Sequence, residues 1–134
     1  MALRHYVLRL GPLDNNTYVL VCGRTGECAV VDAGFGAAAV VRWVREQPGP
    51  LVVRHLLNTH AHYDHVCGMH EVQAVLGGEY WLHPADRALL EHLDEQAATY
   101  GFPAAVVPRP VHDLADGQRL ALGEVSIEVI HTPG

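Results

Sequence analysis

The residues most able to do chemistry lie between Thr59 and His65, in the sequence Thr-His-Ala-His-Tyr-Asp-His. Three imidazoles and a carboxylate supply nitrogen and oxygen ligands, a mixture that suits zinc or non-haem iron better than calcium or magnesium. In an extended segment His60 and His62 project to the same side, so both can reach one ion. Asp64 and His65 fall where the chain should turn into a helix, and they could point at a second ion. The segment therefore predicts ligands for one or two metal ions.

Another carboxylate, Asp32, opens the sequence Asp-Ala-Gly at the end of a predicted strand. In α/β proteins a strand end followed by glycine often carries site residues. By itself the pattern more often marks an Asx turn or a helix cap. With the histidine-rich segment in the same chain, we interpret Asp32 as the acceptor of a hydrogen bond from a ligand imidazole, which would fix the tautomer of that ring.

Periodic apolar patterns predict the elements that position these residues. The predicted strands cover residues 2–10, 17–22, 28–31, 51–57 and 80–82, with a final hairpin over 118–122 and 125–130; helices cover 36–47, 66–76 and 85–100. The helix that follows the histidines would place Asp64 near its positive end, which favours the ionised carboxylate that a metal requires. The proline-rich stretch 101–110 is either a lid or a plain connection.

Composition limits the class of protein. The 134 residues suffice for one modest domain with a buried core, and 49% apolar against 18% charged residues is not a disordered composition. No apolar run is as long as a membrane span, and the N-terminus has no signal-peptide core, so we expect a cytoplasmic protein without membrane partners. The net charge of −6 and the lack of a basic stripe argue against nucleic acid as a main partner.

These motifs, in this order, resemble a known family. The Asp-Ala-Gly turn at Asp32, the segment 59–65 and the closing His131-Thr132-Pro133-Gly134 are similar to the N-terminal half of a metallo-β-lactamase-fold hydrolase, in particular the glyoxalase II (hydroxyacylglutathione hydrolase) branch. The resemblance implies an α/β (α+β) fold, the first half of an αββα sandwich, with a mixed, mostly antiparallel sheet and helices on one face. We therefore expect residues 1–134 to form a single metallo-β-lactamase-like domain that is truncated at its C-terminus.

Position by position, the resemblance assigns His60 and His62 to a first metal ion and Asp64 and His65 to a second. It implies zinc, as one or two ions, with Fe²⁺ as the alternative. Family members complete both sites with ligands that follow a Thr-Pro-Gly like residues 132–134, and His131 is not one of those ligands. We therefore expect this chain alone to bind metal weakly.

The implied reaction is hydrolysis of a thioester or related acyl bond in a small-molecule substrate by a metal-activated water, which Asp64 would orient. Three alternatives remain open. The first is a persulfide dioxygenase-like oxygenase that holds one iron through His60 and His62, and the second is a non-catalytic fragment that keeps the first half of the fold. The third is a ribonuclease- or lactonase-type member of the same superfamily, although the low positive charge disfavours a nuclease. Because a second half would cover one sheet face, we expect the isolated chain to self-associate through that face.

Overall fold

The structure is a computed structural model that describes residues 3–133. In chain order these residues form β1 (Leu3–Leu10), β2 (Asn15–Cys22), β3 (Glu27–Val31), α1 (Ala37–Glu46), β4 (Val52–Leu57), α2 (Tyr63–Val66), α3 (Met69–Leu76), β5 (Glu79–Leu82), α4 (Arg87–Glu91), α5 (Leu93–Tyr100), β6 (Val111–Asp113), β7 (Arg119–Leu122) and β8 (Val125–Glu128). A 3-10 turn over Pro84–Asp86 precedes α4. Ala2, where the first predicted strand begins, and Gly134 of the closing motif lie outside the described residues.

Six strands form one sheet in the order β1-β2-β3-β4-β5-β6. The pairs β1–β2 and β2–β3 are antiparallel, whereas β3–β4, β4–β5 and β5–β6 are parallel. The mixed sheet with helices confirms the predicted fold class. The expectation of a mostly antiparallel sheet is corrected, since three of these five pairs are parallel. The reason is that helices connect β3 to β4, β4 to β5 and β5 to β6, and such crossovers return the chain in the same direction.

The helices pack on one face of this sheet around the larger apolar core. Val40 and Val44 of α1 lie one helical turn apart and are buried against the sheet. From the sheet, Val30, Leu56 and Tyr80 point into the same core and are fully buried. The predicted arrangement of helices on one face is thus confirmed.

The hairpin of β7 and β8 packs on the opposite face and encloses a smaller core with β3 and β4. His55 of β4 links the two sheets. Its Nδ1 accepts a hydrogen bond from Trp81 Nε1 at 3.2 Å, so its proton lies on Nε2, which donates to the Ala121 carbonyl at 2.8 Å. The hairpin covers only part of this face, because Leu3 and Val7 of β1 remain 39% and 48% exposed. The layers are therefore helices, the six-stranded sheet and the two-stranded sheet.

The structure changes two of the predicted helices. The helix predicted over 66–76 begins earlier, at Tyr63, and is interrupted between α2 and α3, where the Gly68 amide donates to the Ala33 carbonyl at 3.0 Å. Asp64 and His65 consequently lie within α2. The helix predicted over 85–100 divides at His92. None of the helices within residues 3–133 is long and apolar enough to cross a membrane.

Candidate metal centre

The sheet topology brings three strand ends to one place. The strands β3 and β4 are parallel neighbours, so their carboxyl ends, followed by Asp32 and Asn58, lie at the same edge of the sheet. The strand β2 is antiparallel to β3, so its first residue, Asn15, lies at that edge as well. The histidine-rich segment runs from the end of β4 into α2. Residues far apart in sequence therefore surround this segment.

Asp32 is buried at the centre of the cluster. Its Oδ1 accepts hydrogen bonds from Asn58 Nδ2 at 3.0 Å and from the Thr59 amide at 2.8 Å, and its Oδ2 accepts one from Thr59 Oγ1 at 2.6 Å. Burial alone would raise the pKa of Asp32, but these bonds and one from His65 outweigh it and lower the pKa. The backbone of Asp32 has a φ of 58°, a left-handed conformation that costs energy for a residue other than glycine. The hydrogen bonds hold the ionised side chain in that position.

His65 lies between two carboxylates. Its Nδ1 is 3.2 Å from Asp32 Oδ2, and its Nε2 is 3.6 Å from Asp64 Oδ2. The hydrogen bond to Asp32 raises the pKa of His65 although burial opposes it. Nδ1 is the nitrogen nearer to a carboxylate, and the amide donor of Asn15 lies 3.4 Å from Nε2, so a neutral His65 carries its proton on Nδ1 and keeps its lone pair on Nε2. Asp32 thus lies beside a candidate ligand imidazole, and its role towards a metal ligand stays a prediction.

The tautomer of His60 follows from its neighbour. Thr59 Oγ1 has one proton, which it donates to Asp32, so it accepts from His60 Nδ1 at 2.9 Å. This leaves the Nε2 lone pair of His60 free. Burial lowers the pKa of His60, and the positive charge of a protonated His65 acts in the same direction. His60 is therefore held in the neutral form that can bind a metal ion.

Of the four predicted ligands, the structure groups His60 and His65 with Asp32, and it places His62 beside His60 and Asp64 beside His65. The ring centroid of His60 lies 4.8 Å from that of His62 and 4.2 Å from that of His65. His62 is exposed and precedes α2, where Asp64 is half-buried. Asp32, His60 and His65 offer ligand atoms within 4.8 Å of one another. We assign Asp32 a supporting role, because its oxygens already accept three hydrogen bonds within this cluster.

Two side chains from the region of α4 and α5, Asp86 and Gln96, form hydrogen bonds with the backbone of the histidine motif. Asp86 Oδ2 accepts from the Ala61 amide at 2.9 Å. Gln96 Oε1 accepts from the Tyr63 amide at 2.8 Å, and its Nε2 donates to the Ala61 carbonyl at 3.2 Å. Sequence reasoning missed both residues, because a single polar residue in a helical stretch gives no local signal of a contact 25 or 35 positions away.

Asn58 was also missed, although it directly precedes the motif. Its Nδ2 donates to Asp32 Oδ1 and to the His65 carbonyl, the latter at 2.7 Å, and its Oδ1 accepts from the Tyr80 hydroxyl at 2.6 Å. Burial raises the pKa of Tyr80, which therefore keeps its proton. Asn58 thus joins β3, α2 and β5. Its place at a strand end beside the histidines is the signal that could have identified it.

Two glycines allow α2 to lie directly on the loop after β3. A Cβ atom at Gly34 would overlap the carbonyl oxygen of Asp64, and one at Gly68 would overlap the carbonyl oxygen of Gly34. Larger residues at either position would push α2 away from Asp32. The backbone contact therefore brings the Asp64 and His65 side chains to the centre of the cluster.

A cavity of about 740 Å³ opens beside the cluster. Its lining includes His60 and His62 together with apolar side chains such as Leu57 and Ile127. The ring of His131 stacks on that of His83 at the cavity wall, with centroids 3.9 Å apart. Residues 101–110, the proline-rich stretch, are not among those that line this cavity. The stretch contacts the motif through the Tyr63 hydroxyl, which donates to the carbonyl of Pro103 at 2.6 Å.

The donor set fits a transition metal. Imidazole nitrogens and carboxylate oxygens lie close to one another, and within residues 3–133 no arginine forms an ion pair with Asp32 or Asp64. Nitrogen and oxygen donors of this kind are ligands of zinc and iron. The residues therefore form a candidate metal centre.

Comparison with known proteins gives the same picture. A family model described as the metallo-beta-lactamase superfamily matches residues 10–134. The hydroxyacylglutathione hydrolase of Rhodospirillum rubrum is 31% identical over 126 residues, which cover 90% of this chain and 40% of that protein.

Two solved structures are similar throughout the chain. The BLEG-1 B3 metallo-beta-lactamase has a TM-score of 0.83 and 28% identity, covering 98% of this chain and 62% of that one. A protein solved in a di-iron-bound form has a TM-score of 0.82 and 31% identity, covering 96% of this chain and 61% of that one. The chain thus spans between 40% and 62% of the length of these relatives.

Proposed function

The chain belongs to the metallo-beta-lactamase superfamily, and we propose that the protein is a metal-dependent hydrolase of a thioester or related acyl bond. One observation carries the proposal: Asp32, His60 and His65 offer ligand atoms within 4.8 Å of one another, and Asp64 Oδ2 lies 3.6 Å from His65 Nε2. The similarity to a hydroxyacylglutathione hydrolase supports a hydrolytic reaction on an acyl thioester.

The proposal assigns ligands to two ions. His60 and His62 would hold the first ion, and Asp64 and His65 the second. Zinc and iron both accept imidazole and carboxylate ligands, and a similar protein was solved with two irons. When bound, such ions polarise an acyl carbonyl and make water a stronger nucleophile near neutral pH.

The side chains of this chain orient the reaction. Asp32 and Thr59 fix the tautomers of His65 and His60, so that each ring directs Nε2 away from its supporting group. Asp64 supplies a carboxylate acceptor beside His65, and it would accept a hydrogen bond from the attacking water. The adjoining cavity combines imidazoles with apolar walls, which suits an acyl group of a small molecule.

The test uses the full-length protein, its metal content and a small acyl thioester whose released thiol is detected with a chromogenic reagent. We expect two zinc or iron ions per chain and metal-dependent thiol release. His60→Ala should lower both, whereas His70→Ala, on the exposed side of α3, should preserve them. One iron per chain with oxygen consumption on a persulfide would instead establish the oxygenase reaction.

A further inference from the structure

Asn15, the first residue of β2, contacts two of the candidate ligands directly. We propose that Asn15 is a positioning residue of the metal centre, which holds Asp64 beside His65 so that both can bind one ion. This inference rests on the proposed metal-dependent function and deepens it, because the resemblance and the comparisons assign no role to this asparagine.

The β1–β2 hairpin places Asn15 at the site. Asn15 pairs with Leu10 across the hairpin, and the turn between them is closed by the Asp14 amide, which donates to the Gly11 carbonyl at 3.3 Å. Two residues further along β2, Thr17 Oγ1 donates to the carbonyl of Asp32 at 2.9 Å. Alternate strand residues share a face, so Asn15 points to the side on which α2 packs.

The amide of Asn15 reaches both ligand side chains. Its Nδ2 lies 2.9 Å from Asp64 Oδ2 and 3.4 Å from His65 Nε2, and these two atoms are 3.6 Å apart. Consecutive residues of a helix point roughly 100° apart around its axis, so a contact from outside α2 helps to keep Asp64 beside His65. The shorter contact, to Asp64 Oδ2, is the hydrogen bond that positions this carboxylate, whereas the Nε2 lone pair of His65 is the one that a bound ion would use.

The orientation of the amide follows from the charge of its partner. If the amide were rotated by half a turn, Asn15 Oδ1 would face the Asp64 carboxylate, which would place two acceptors together without a proton. In the orientation observed, Asn15 Oδ1 is buried and receives no hydrogen bond from the described residues. Within residues 3–133 no hydrogen bond reaches Asp64 Oδ1, so this second oxygen remains available to an ion.

A metal titration of the full-length protein tests the proposal. Cobalt(II) serves as the probe, because its visible spectrum reports the ligands of each ion bound. The variants are Asn15→Ala and Asn15→Leu, the second of which keeps the bulk but not the donor. Asn16→Ala is the matched control, since Asn16 has the same chemistry and donates instead to the Tyr18 hydroxyl at 3.4 Å.

We expect wild type and Asn16→Ala to bind two ions. Both Asn15 variants should bind the second ion about 10-fold or more weakly and with an altered spectrum, while the first ion is unaffected, because groups that orient ligands typically change metal affinity 10- to 100-fold. If Asn15→Leu binds both ions like Asn16→Ala, the proposal for Asn15 is overturned and the metal-dependent function stands. If wild type binds no cobalt, both are overturned.

Discussion

Oδ2 of Asp32 lies 3.2 Å from Nδ1 of His65, and this contact joins the end of β3 to α2. It pairs a buried carboxylate with an imidazole that the motif offers as a ligand. Since Asp32 also accepts three hydrogen bonds from Asn58 and Thr59, one side chain orders the end of β4, the motif and α2 together.

Replacing Asp32 by asparagine should weaken metal binding. Asp32→Asn removes the negative charge that fixes the His65 tautomer. It also places an amide NH₂ group, which is a donor, where Asn58 or Thr59 donates to Asp32 in the wild type. We expect a fall in metal affinity of about 10- to 100-fold and a loss of stability of about 1–3 kcal/mol. Competition with a metal-binding dye and urea unfolding measure the two effects. The same substitution at exposed Asp94 should change neither.

The stability of the metal-free protein should depend on pH through the same pair. The pKa of Asp32 is lowered from 3.8, so its contribution is present above that pH and is lost as the pH falls through the lower folded value. The pKa of His65 is raised from 6.5, so its contribution is present below that pH and is lost as the pH rises through the folded value.

The two contributions overlap between about pH 4 and pH 6.5. The difference in unfolding free energy between wild type and His65→Gln, measured with a chelator present, should therefore be largest in this window and shrink above it. His70→Gln, an exposed substitution on α3, should give a difference that does not vary with pH in this way. A difference for His65→Gln that is constant from pH 5 to pH 9 would contradict the assigned contact.

Gln96 should contribute to the stability of the motif. Gln96→Leu leaves the Tyr63 amide and the Ala61 carbonyl without their hydrogen bonds, and each unsatisfied buried group costs about 1–3 kcal/mol. Because two groups lose their partners, we expect a fall of about 2–6 kcal/mol in unfolding free energy, together with weaker metal binding. Gln47→Leu removes one glutamine hydrogen bond, to the Trp43 carbonyl at the end of α1, and should leave metal binding unchanged.

Gly34 should not tolerate a side chain. Gly34→Ala would push the Asp64 carbonyl away and displace α2, so we expect destabilisation of about 1–3 kcal/mol and reduced metal affinity. Gly49→Ala is the matched control, because a Cβ atom there meets no atom within 4 Å. Thermal unfolding and cobalt binding of the two variants separate the effects. If both variants have the same unfolding temperature and the same cobalt affinity, the contact between α2 and the loop after β3 has room for a side chain and the prediction is wrong.

Much of the fold could be predicted from sequence. Alternating and continuous apolar runs indicated β1 to β5 and the final hairpin, and helical spacing indicated α1, because these patterns reflect burial on one or both faces. The strand β6 was missed, since three residues, Val-His-Asp, are too short to show a pattern. The early start of α2 was missed because the residues of the motif are polar and show no helical apolar spacing. The end of α2 depends instead on a distant contact, the hydrogen bond from the Gly68 amide to the Ala33 carbonyl.

The sequence by itself determined which donor groups are available: the types and spacing of His60, His62, Asp64 and His65 supply nitrogen and oxygen donors of the kind that bind metal, and they predict the proposed site. Only the tertiary structure decided what orients them. Asn15 and Gln96 reach the motif from 49 and 33 or more positions away, through strand pairing and helix docking. Such contacts depend on the register of β2 against β3 and on the packing of α5, which arise from the whole core. No local pattern of residues encodes them.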